Sequence, residues 1–305
     1  MKQNAVAEPL VNLSEVVEIE LFILKRMKER TIGDHESVFK GPGSNFVGVR
    51  DWQPGDRTSS IDWAQSSLTN FSPMITREFE QPSTATIVAV ADASMSTRCG
   101  AAGTPIAAAI ARSVAAVGLS AVFFQDQFGL ITFGEEFREM AAVRPRIGKP
   151  HVLHCLDLYQ TRTSPDESGV QSDFMATVAA HLRRTSLVPV ISDFLFADAA
   201  RIISELSLLN NVHDVFLVMA DARFAYQLPD VSAGWIEVFD VESGKTRVLS
   251  RRELRQLTLR IGEWQQEIQR LARDADLDIV SVGLDRWEME TALVNFVAER
   301  RLRKT

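Results

Sequence analysis

The chain has 305 residues, 46% of them apolar, which is enough to bury a full core in one large domain or two modest ones. Its formal net charge of −7 argues against nucleic acid as the main partner, because phosphate binding needs a concentrated basic face. Its two cysteines, Cys99 and Cys155, lie far apart, which fits a reducing compartment and excludes a disulfide framework.

The N-terminal region and the most apolar stretch favour a cytoplasmic protein. Acidic residues such as Glu15 and Glu18 interrupt the first apolar residues, so the basic start and unbroken apolar core of a signal peptide are missing. Residues 104–124 are almost wholly apolar, but Arg112 near their middle and a strand signal after them favour a buried helix over a membrane span. We therefore predict cytoplasmic localisation and no membrane insertion.

The first predicted element is an amphipathic helix. Apolar residues recur with helical spacing among charged ones over residues 10–30, and Asn12 or Ser14 suits its N-cap. We assign residues 1–40 to this N-terminal helical segment.

Glycine and proline punctuate the next segment, residues 41–83, and predict short strands or a hairpin with a turn at Pro54-Gly55-Asp56. Trp52 and Trp63 lie beside charged residues in this segment. Two interpretations stay open: the tryptophans form a recognition surface, or they anchor a small subdomain on the core.

A strand, a long helix and a second strand follow. Residues 87–91 read as a buried strand, Thr104 as the cap and Pro105 as the first residue of a helix to about Ala121, and residues 126–133 as the second strand. This order forms a crossover unit, which implies a parallel sheet.

The same alternation continues to the end of the chain. Further helices are predicted at 150–159, 174–184, 199–209, 251–275 and 287–303, further strands at 187–191, 214–219 and 278–282, and a hairpin at 236–239 and 246–249. Five strands alternating with helices predict an α/β fold over residues 84–305, with a doubly wound (Rossmann-like), mostly parallel sheet flanked by helices. In such sheets ligands gather at the carboxyl ends of the strands.

Polar side chains follow two of these strands. Asp92, Ser94 and Ser96 come directly after the first strand, at alternate positions that point the same way in an extended loop, and Asp193 follows the strand 187–191. Ser172 precedes the helix at 174, either as its N-cap alone or also as a hydroxyl ligand.

Carboxylate and hydroxyl oxygens suit Mg²⁺, Mn²⁺ or Ca²⁺, whereas the chain lacks the set of His and Cys ligands that zinc prefers. The alternative is that these side chains hydrogen-bond to one another and to the backbone with no ion bound.

At these residues the chain resembles the von Willebrand factor A fold, whose metal-ion-dependent adhesion site uses Asp-x-Ser-x-Ser, a Thr from a second loop and an Asp from a third. More narrowly, it is similar to the bacterial domain-of-unknown-function 58 proteins. Their signature matches the stretch from Gly48 to Asp56 followed by Ile61-Asp62-Trp63. The likeness continues at 128–133, 191–194, 228–230 and 240–244.

The resemblance implies roles for the matching residues. Asp92, Ser94 and Ser96 match the first metal loop, Asp193 matches the third, and Ser172 stands where the family usually has Thr. The implied ion is a divalent cation, foremost Mg²⁺, with an open position that an acidic residue of a partner protein can fill.

The signature segment supplies the candidate partner-binding residues Arg50, Trp52, Asp56, Asp62 and Trp63. The resemblance implies a protein-interaction adapter that works with a MoxR-type AAA+ ATPase and a client protein in protein maturation or complex assembly. The alternatives are a metal-independent binding module that uses Trp52 and Trp63, and a divalent-metal-dependent hydrolase with Asp92 and Asp193 as ligands.

Enzyme motifs fit poorly. A haloacid dehalogenase-type phosphatase needs a second Asp two residues after the first, where this chain has Ser94, and neither a Gly-x-Ser-x-Gly elbow nor a phosphate-binding Gly-x-x-x-x-Gly-Lys loop is present. His151 and His154 beside Cys155 lack a second ligand pair for a metal. We therefore predict that the protein is not an enzyme.

Overall fold

The computed structural model describes residues 9–34, 45–54, 56, 58, 61–80, 84–101, 104–134, 140–161, 174–182, 185–223, 235–240, 245–283, 291–297 and 300. The chain forms two compact units, Lys25–Thr84 and the combination of Met1–Leu24 with Ala85–Thr305. The division at residues 40 and 83 that the sequence suggests stays a prediction.

The helices are α1 (Leu13–Asp34), α2 (Trp63–Leu68), α3 (Ile106–Phe123), α4 (Lys149–Thr161), α5 (Phe174–His181), α6 (Ala199–Asn210) and α7 (Arg251–Asp274). The strands are β1 (Asn45–Asp51), β2 (Ile75–Glu80), β3 (Thr86–Asp92), β4 (Gly100–Ala101), β5 (Thr104–Pro105), β6 (Gln127–Phe133), β7 (Ala141–Arg146), β8 (Leu187–Ser192), β9 (Asp214–Ala220), β10 (Trp235–Asp240), β11 (Lys245–Ser250) and β12 (Asp278–Val282). Residues 291–297 are also helical, within the closing helix predicted at 287–303.

The central sheet has six strands in the order β12-β9-β8-β3-β6-β7. All neighbouring pairs are parallel except β6 with β7, so the predicted mixed α/β architecture with a mostly parallel sheet is confirmed. β7 was missed because its sequence, with Arg144, Pro145 and Arg146, lacks an apolar run. Charged residues and proline are typical of an edge strand, which is the place β7 occupies.

Helices pack on the sheet and exclude water from it. One core cluster joins the strand residues Val90 and Leu217 to Ile203 of α6 and Ile268 of α7. On α3, 15 of the 18 residues are buried, because this helix contacts β3, β6 and α4. By length and composition α3 is also the one described helix apolar enough to cross a membrane, and 83% of it is buried inside the protein.

The predicted start of α3 is wrong by one residue. Thr104 and Pro105 form β5, which pairs antiparallel with β4, and the helix begins at Ile106. Pro105 occupies the N-cap position, and no side chain caps the helix there. Instead, the Ile106 amide donates to the Cys99 carbonyl at 3.0 Å. This backbone contact takes the place of the predicted Thr104 cap.

The structure selects Asn12 as the cap of α1. Asn12 Oδ1 accepts from the Glu15 amide and Glu15 Oε2 accepts from the Asn12 amide, each at 2.9 Å. Glu15 Oε1 also accepts from Arg112 of α3 at 3.1 Å.

Two β pairs lie outside the central sheet. β10 and β11 form the predicted antiparallel pair, with their turn outside the described residues. In the signature segment β1 pairs antiparallel with β2, so the short strands predicted there are present. The expectation of strands and loops without helix is wrong at Trp63–Leu68, which form helix α2 with Asp62 as its N-cap.

Gly118 allows α3 to approach α4 and β6 closely. A Cβ at this position would lie 2.6 Å from Val152 Cγ1 and 3.2 Å from Phe128 Cε1. We expect Gly118→Ala to lower the free energy of unfolding by about 1–3 kcal/mol in urea denaturation. Gly262→Ala on α7 is the control, because its Cβ meets only the flexible Arg223 side chain at 3.4 Å and the helix gains about 1 kcal/mol. Equal effects of the two substitutions would contradict the close packing.

Candidate functional site

The carboxyl ends of β3 and β8 form the centre of the site. In the parallel pairing of these strands Ala91 lies opposite Ile191, so Asp92 and Ser192 are the next neighbours. From β3 the chain runs to β6 and β7 on one side of the sheet and later returns to β8 on the other side. This edge is therefore the topological switch point of the sheet, where α/β proteins bind ligands.

Asp92 is 2% exposed, and its side chain is held from two sides. Oδ1 accepts from the Ser94 amide at 2.9 Å, and Oδ2 accepts from the Ser192 hydroxyl at 2.6 Å. The hydroxyl of Tyr159, on α4, donates to the Asp92 carbonyl at 2.8 Å.

The two serines of the first loop converge. The hydroxyl groups of Ser94 and Ser96 share a hydrogen bond of 3.0 Å, as the metal-free alternative expects, and the Thr97 hydroxyl donates to the Ser94 carbonyl at 2.8 Å. The loop is not extended as the sequence suggests, because Met95 has helical backbone angles and Ser96–Arg98 forms a 3₁₀ turn. The turn, rather than strand alternation, brings the hydroxyls together.

Asp193 follows β8 and is 3% exposed. Its Oδ1 accepts from the Leu195 amide at 3.0 Å, while Phe194 adopts a left-handed backbone conformation with φ 55°. Ser172, the remaining predicted ligand, lies outside the described residues.

Two adjacent residues of α7 fix the loop after β8. The Trp264 indole nitrogen donates to the Phe194 carbonyl at 2.8 Å. The Gln265 amide donates to the Asp193 carbonyl at 3.3 Å and to the Ala220 carbonyl of β9 at 2.9 Å. Helix α7 therefore determines where the Asp193 loop lies relative to the sheet.

Tyr159 is a constant hydrogen-bond donor at this edge. Burial raises the pKa of its hydroxyl far above the ordinary value, and the charges of Asp92 and Asp193 add to this effect while Arg98 opposes it. The Arg98 guanidinium carbon lies 5.6 Å from the centroid of the tyrosine ring.

Sequence reasoning missed Ser192, Tyr159, Trp264 and Gln265. The position of Ser192 between a strand and Asp193 was a usable signal, because the last residue of β8 lies beside the last residue of β3. The other three come from distant helices, and their sequence neighbourhoods carry no comparable signal.

Asp221, at the carboxyl end of the neighbouring strand β9, forms an ion pair with Arg223. Asp221 follows β9, and its two oxygens accept from the Arg223 guanidinium at 2.6–3.1 Å. Burial alone would raise the pKa of Asp221, but the hydrogen bonds from Arg223 outweigh it and lower the pKa.

Within the described ranges, no three His, Cys, Asp or Glu side chains are placed to hold a metal ion. A cation at this edge would depend on the serine hydroxyls as much as on Asp92 and Asp193.

In the signature segment, three candidate partner-binding residues have internal contacts. The Arg50 guanidinium binds both oxygens of Asp56, at 2.7 and 2.8 Å. Asp62 is the N-cap of α2 and accepts from the amides of Ala64 and Gln65, each at 3.1 Å.

The two tryptophans of this segment differ in exposure. Trp63 is 59% exposed at the start of α2. The Trp52 indole nitrogen is buried and has no hydrogen-bond partner among the described residues. Trp52 as a whole is partly exposed, so Trp63 is the more accessible of the two.

The Arg50 interaction lowers the pKa of Asp56 to about 2, with a further contribution from the Gln53 amide, which donates to Oδ2 at 2.8 Å. Because the folded-state pKa lies below the ordinary value of about 3.9, the pair stabilises the fold above that pH and ceases to do so as the pH falls towards 2. We expect Arg50→Ala to raise the Asp56 pKa towards its ordinary value in an NMR titration of the carboxyl carbon. An unchanged pKa would show that the ion pair does not form in solution.

Comparison with known proteins identifies the family. Residues 48–267 match the family model described as "Protein of unknown function DUF58". The chain belongs to this family. Among relatives of this DUF58 protein, the uncharacterized proteins Rv1480 of Mycobacterium tuberculosis and Mb1516 of Mycobacterium bovis are each 27% identical over 292 residues, which are 93% of this chain and 88% of theirs.

Solved structures similar to this DUF58 protein include two from Bacteroides. The conserved hypothetical protein BatB from Bacteroides thetaiotaomicron has a TM-score of 0.41 at 12% identity, over 71% of this chain and 98% of that one. An aerotolerance-related membrane protein from Bacteroides fragilis has a TM-score of 0.40 at 12% identity, over 71% of this chain and 99% of that one.

Proposed function

We propose that this DUF58 protein is a protein-interaction adapter of the von Willebrand factor A type, which binds its partner through a divalent cation at the β3–β8 edge. One observation carries the proposal: the hydroxyl oxygens of Ser94 and Ser96 converge to 3.0 Å beside the buried Asp92 carboxylate.

The spacing of these oxygens fits a small octahedral cation. Mg²⁺ bonds of about 2.0–2.1 Å place neighbouring oxygens of an octahedron about 2.9 Å apart, so the 3.0 Å between Ser94 Oγ and Ser96 Oγ is compatible with Mg²⁺ or Mn²⁺. The larger and more variable coordination sphere of Ca²⁺ accommodates the same spacing. Asp92, Ser94 and Ser96 would hold the ion from the first loop and Asp193 from the loop after β8.

Such a site favours recognition of an acidic residue. Carboxylate oxygens are preferred ligands of such an ion and its water ligands are exchangeable, so a partner's carboxylate can complete the coordination. The likeness to the family suggests a MoxR-type AAA+ ATPase and a client protein as the partner system, in protein maturation or complex assembly. We place this adapter in the cytoplasm and assign it no catalytic activity, and the 83% burial of α3 supports a core role for that helix.

Isothermal titration calorimetry with Mg²⁺ and Mn²⁺ tests the cation. The wild-type chain should give a binding heat that disappears in Ser94→Ala/Ser96→Ala. Ser207→Ala is the control, because the Ser207 hydroxyl donates to the Ala275 carbonyl at the end of α7, away from the site, and should keep the heat. Equal heats in all three proteins would refute the cation site.

A second candidate function is metal-independent binding through the signature segment, which the 59% exposure of Trp63 favours. Capture of a purified MoxR-type ATPase, with and without chelator, separates the two. Binding that survives chelation and fails in Trp63→Ala would favour the second candidate, whereas binding lost on chelation supports the first.

A further inference from the structure

The hairpin β10–β11 and the first half of α7 carry an unusual concentration of positive charge. Residues 245–260 contain six basic residues and one acidic residue, in a chain whose formal net charge is −7. The basic residues are Lys245, Arg247, Arg251, Arg252, Arg255 and Arg260. The acidic one, Glu253, is held by the capping box with Ser250 and has a lowered pKa for that reason.

Part of this charge lies on one exposed face of α7. The acidic Glu263 is also exposed on this face, at its C-terminal end. Arg252, Arg255, Leu259 and Arg260, which precede it, are spaced at i, i+3, i+7 and i+8, which places them on one side of a helix, and all four are exposed. We call these four residues the basic stripe. Leu259 is 62% exposed within it, so the stripe combines cations with an apolar contact.

The hairpin that leads into α7 adds exposed apolar side chains. Trp235 pairs with Ser250 and Val248 with Glu237, so Trp235 and Val248 lie diagonally on one face of the hairpin. They are 69% and 59% exposed. Because Ser250 is both the last residue of β11 and the N-cap of α7, the hairpin leads directly into the helix.

The basic stripe projects beyond the sheet on the side of the β3–β8 edge. Trp264 and Gln265 contact the carboxyl ends of β8 and β9, while Ile268 and Ala272 pack in the core. The part of α7 before Trp264 therefore extends past the strand ends, and Arg252 lies about 18 Å further along the helix axis.

The charge of Arg252 at the start of α7 does not serve helix stability. The N-terminus of a helix carries a partial positive charge, so Arg252 in its first turn opposes the helix dipole, whereas Glu253 beside it complements the dipole. Basic residues at a helix N-terminus lower helix stability, and their presence beside exposed apolar residues is typical of a surface that serves binding.

We propose that the basic stripe and the hairpin face form a docking surface for an acidic, amphipathic segment of a partner protein. Arginine predominates among the cations, and its planar fork binds carboxylates through two hydrogen bonds. Leu259, Val248 and Trp235 provide contacts for apolar side chains between the acidic ones. The surface is independent of the cation at the β3–β8 edge.

Two other classes of partner fit less well. A helix that inserts into a membrane surface presents its apolar side to the lipid, but the apolar side of α7, with Leu254 and Ile261, is buried in the protein. Nucleic acid requires many phosphate contacts, which three arginines on a chain of net charge −7 do not provide.

Fluorescence anisotropy with a labelled peptide of repeated Glu-Glu-Leu units tests the proposal, with a Lys-Lys-Leu peptide as the negative probe. The full chain should bind the acidic peptide more tightly, and added salt should weaken that binding. Arg252→Ala/Arg255→Ala should weaken it by about tenfold or more, and Leu259→Ala by about threefold. Arg270→Ala/Arg273→Ala, on the same helix and with the same change in charge, should leave the affinity within about twofold.

Three measurements complete the test. The melting temperature of Arg252→Ala/Arg255→Ala should not fall, because Arg252 opposes the helix dipole and Ala is the better helix former at both positions, so weaker binding does not reflect unfolding. Chelation should leave peptide affinity unchanged, which separates this surface from the proposed cation site. Equal losses in both double variants would overturn the proposal. Equal affinity for the two peptides would also overturn it. The same holds if the stripe binds only phosphatidylserine vesicles or a single-stranded oligonucleotide and not the acidic peptide.

Discussion

Asp92→Ala is expected to lower the free energy of unfolding by about 2–4 kcal/mol and to abolish the Mg²⁺ binding heat. The stability effect arises because the Ser192 hydroxyl and the Ser94 amide would lose their acceptor in a buried environment, and each unsatisfied donor costs about 1–3 kcal/mol. The binding effect arises because Asp92 would provide one of the two carboxylates of the proposed cation site. Urea denaturation measures the first effect and calorimetry the second.

Asp126→Ala is the matched control. Asp126 is 1% exposed, lies before β6 at the opposite edge of the sheet, and accepts from the Ala85 amide at 2.8 Å. Its removal should cost a comparable amount of stability and leave the Mg²⁺ heat intact at a temperature where both variants are folded. If Asp92→Ala kept the full heat, the cation proposal would be wrong. If both variants lost it, the loss would reflect damage to the fold.

The part of the site that lies on strand ends could be predicted from the sequence. The runs that form β3 and β8 are apolar and end in polar residues, and parallel strands place their carboxyl ends at one edge, so Asp92 and Asp193 follow from the pattern. Ser192 ends the same apolar run and so carries part of this signal, but its hydrogen bond to Asp92 requires the register of β3 against β8. Strand register depends on tertiary contacts, which a single sequence does not display.

The rest of the site depends on contacts between elements far apart in the chain. Tyr159 reaches the Asp92 carbonyl from α4, and Trp264 and Gln265 reach the strand ends from α7, across 67 to 72 residues of sequence. On their own helices they appear only as part of the buried or half-buried side. Local patterns predict that such residues pack inwards but not which polar atom they meet.

The same limit explains the local errors. The 3₁₀ turn after Ser94 is stabilised by the Thr97 hydroxyl, and the start of α3 is set by the contact between Ile106 and Cys99. The local sequence favours an extended loop after β3 and a helix start at Pro105. The contacts of Thr97 and Cys99 override these preferences.

Gln265→Ala is expected to lower the free energy of unfolding by about 2–3 kcal/mol and to weaken Mg²⁺ binding. The Gln265 side chain is 4% exposed, and its amide donates to both the Asp193 and the Ala220 carbonyls. Its removal leaves a cavity and deprives two strand ends of their shared donor. The Asp193 loop then loses one of its two hydrogen bonds from α7, so hydrogen exchange of the Phe194 and Leu195 amides should accelerate.

Gln269→Ala, one turn further along α7, provides the comparison. The Gln269 amide donates to the Ser281 hydroxyl at 3.1 Å at an exposed position, so its loss should change stability by no more than about 0.5 kcal/mol. Faster exchange at Phe194 and Leu195 in Gln265→Ala alone, together with weaker Mg²⁺ binding, would show that α7 positions the Asp193 loop for the cation. Faster exchange with unchanged Mg²⁺ affinity would restrict the role of Gln265 to stability. Unchanged exchange in both variants would contradict the contact itself.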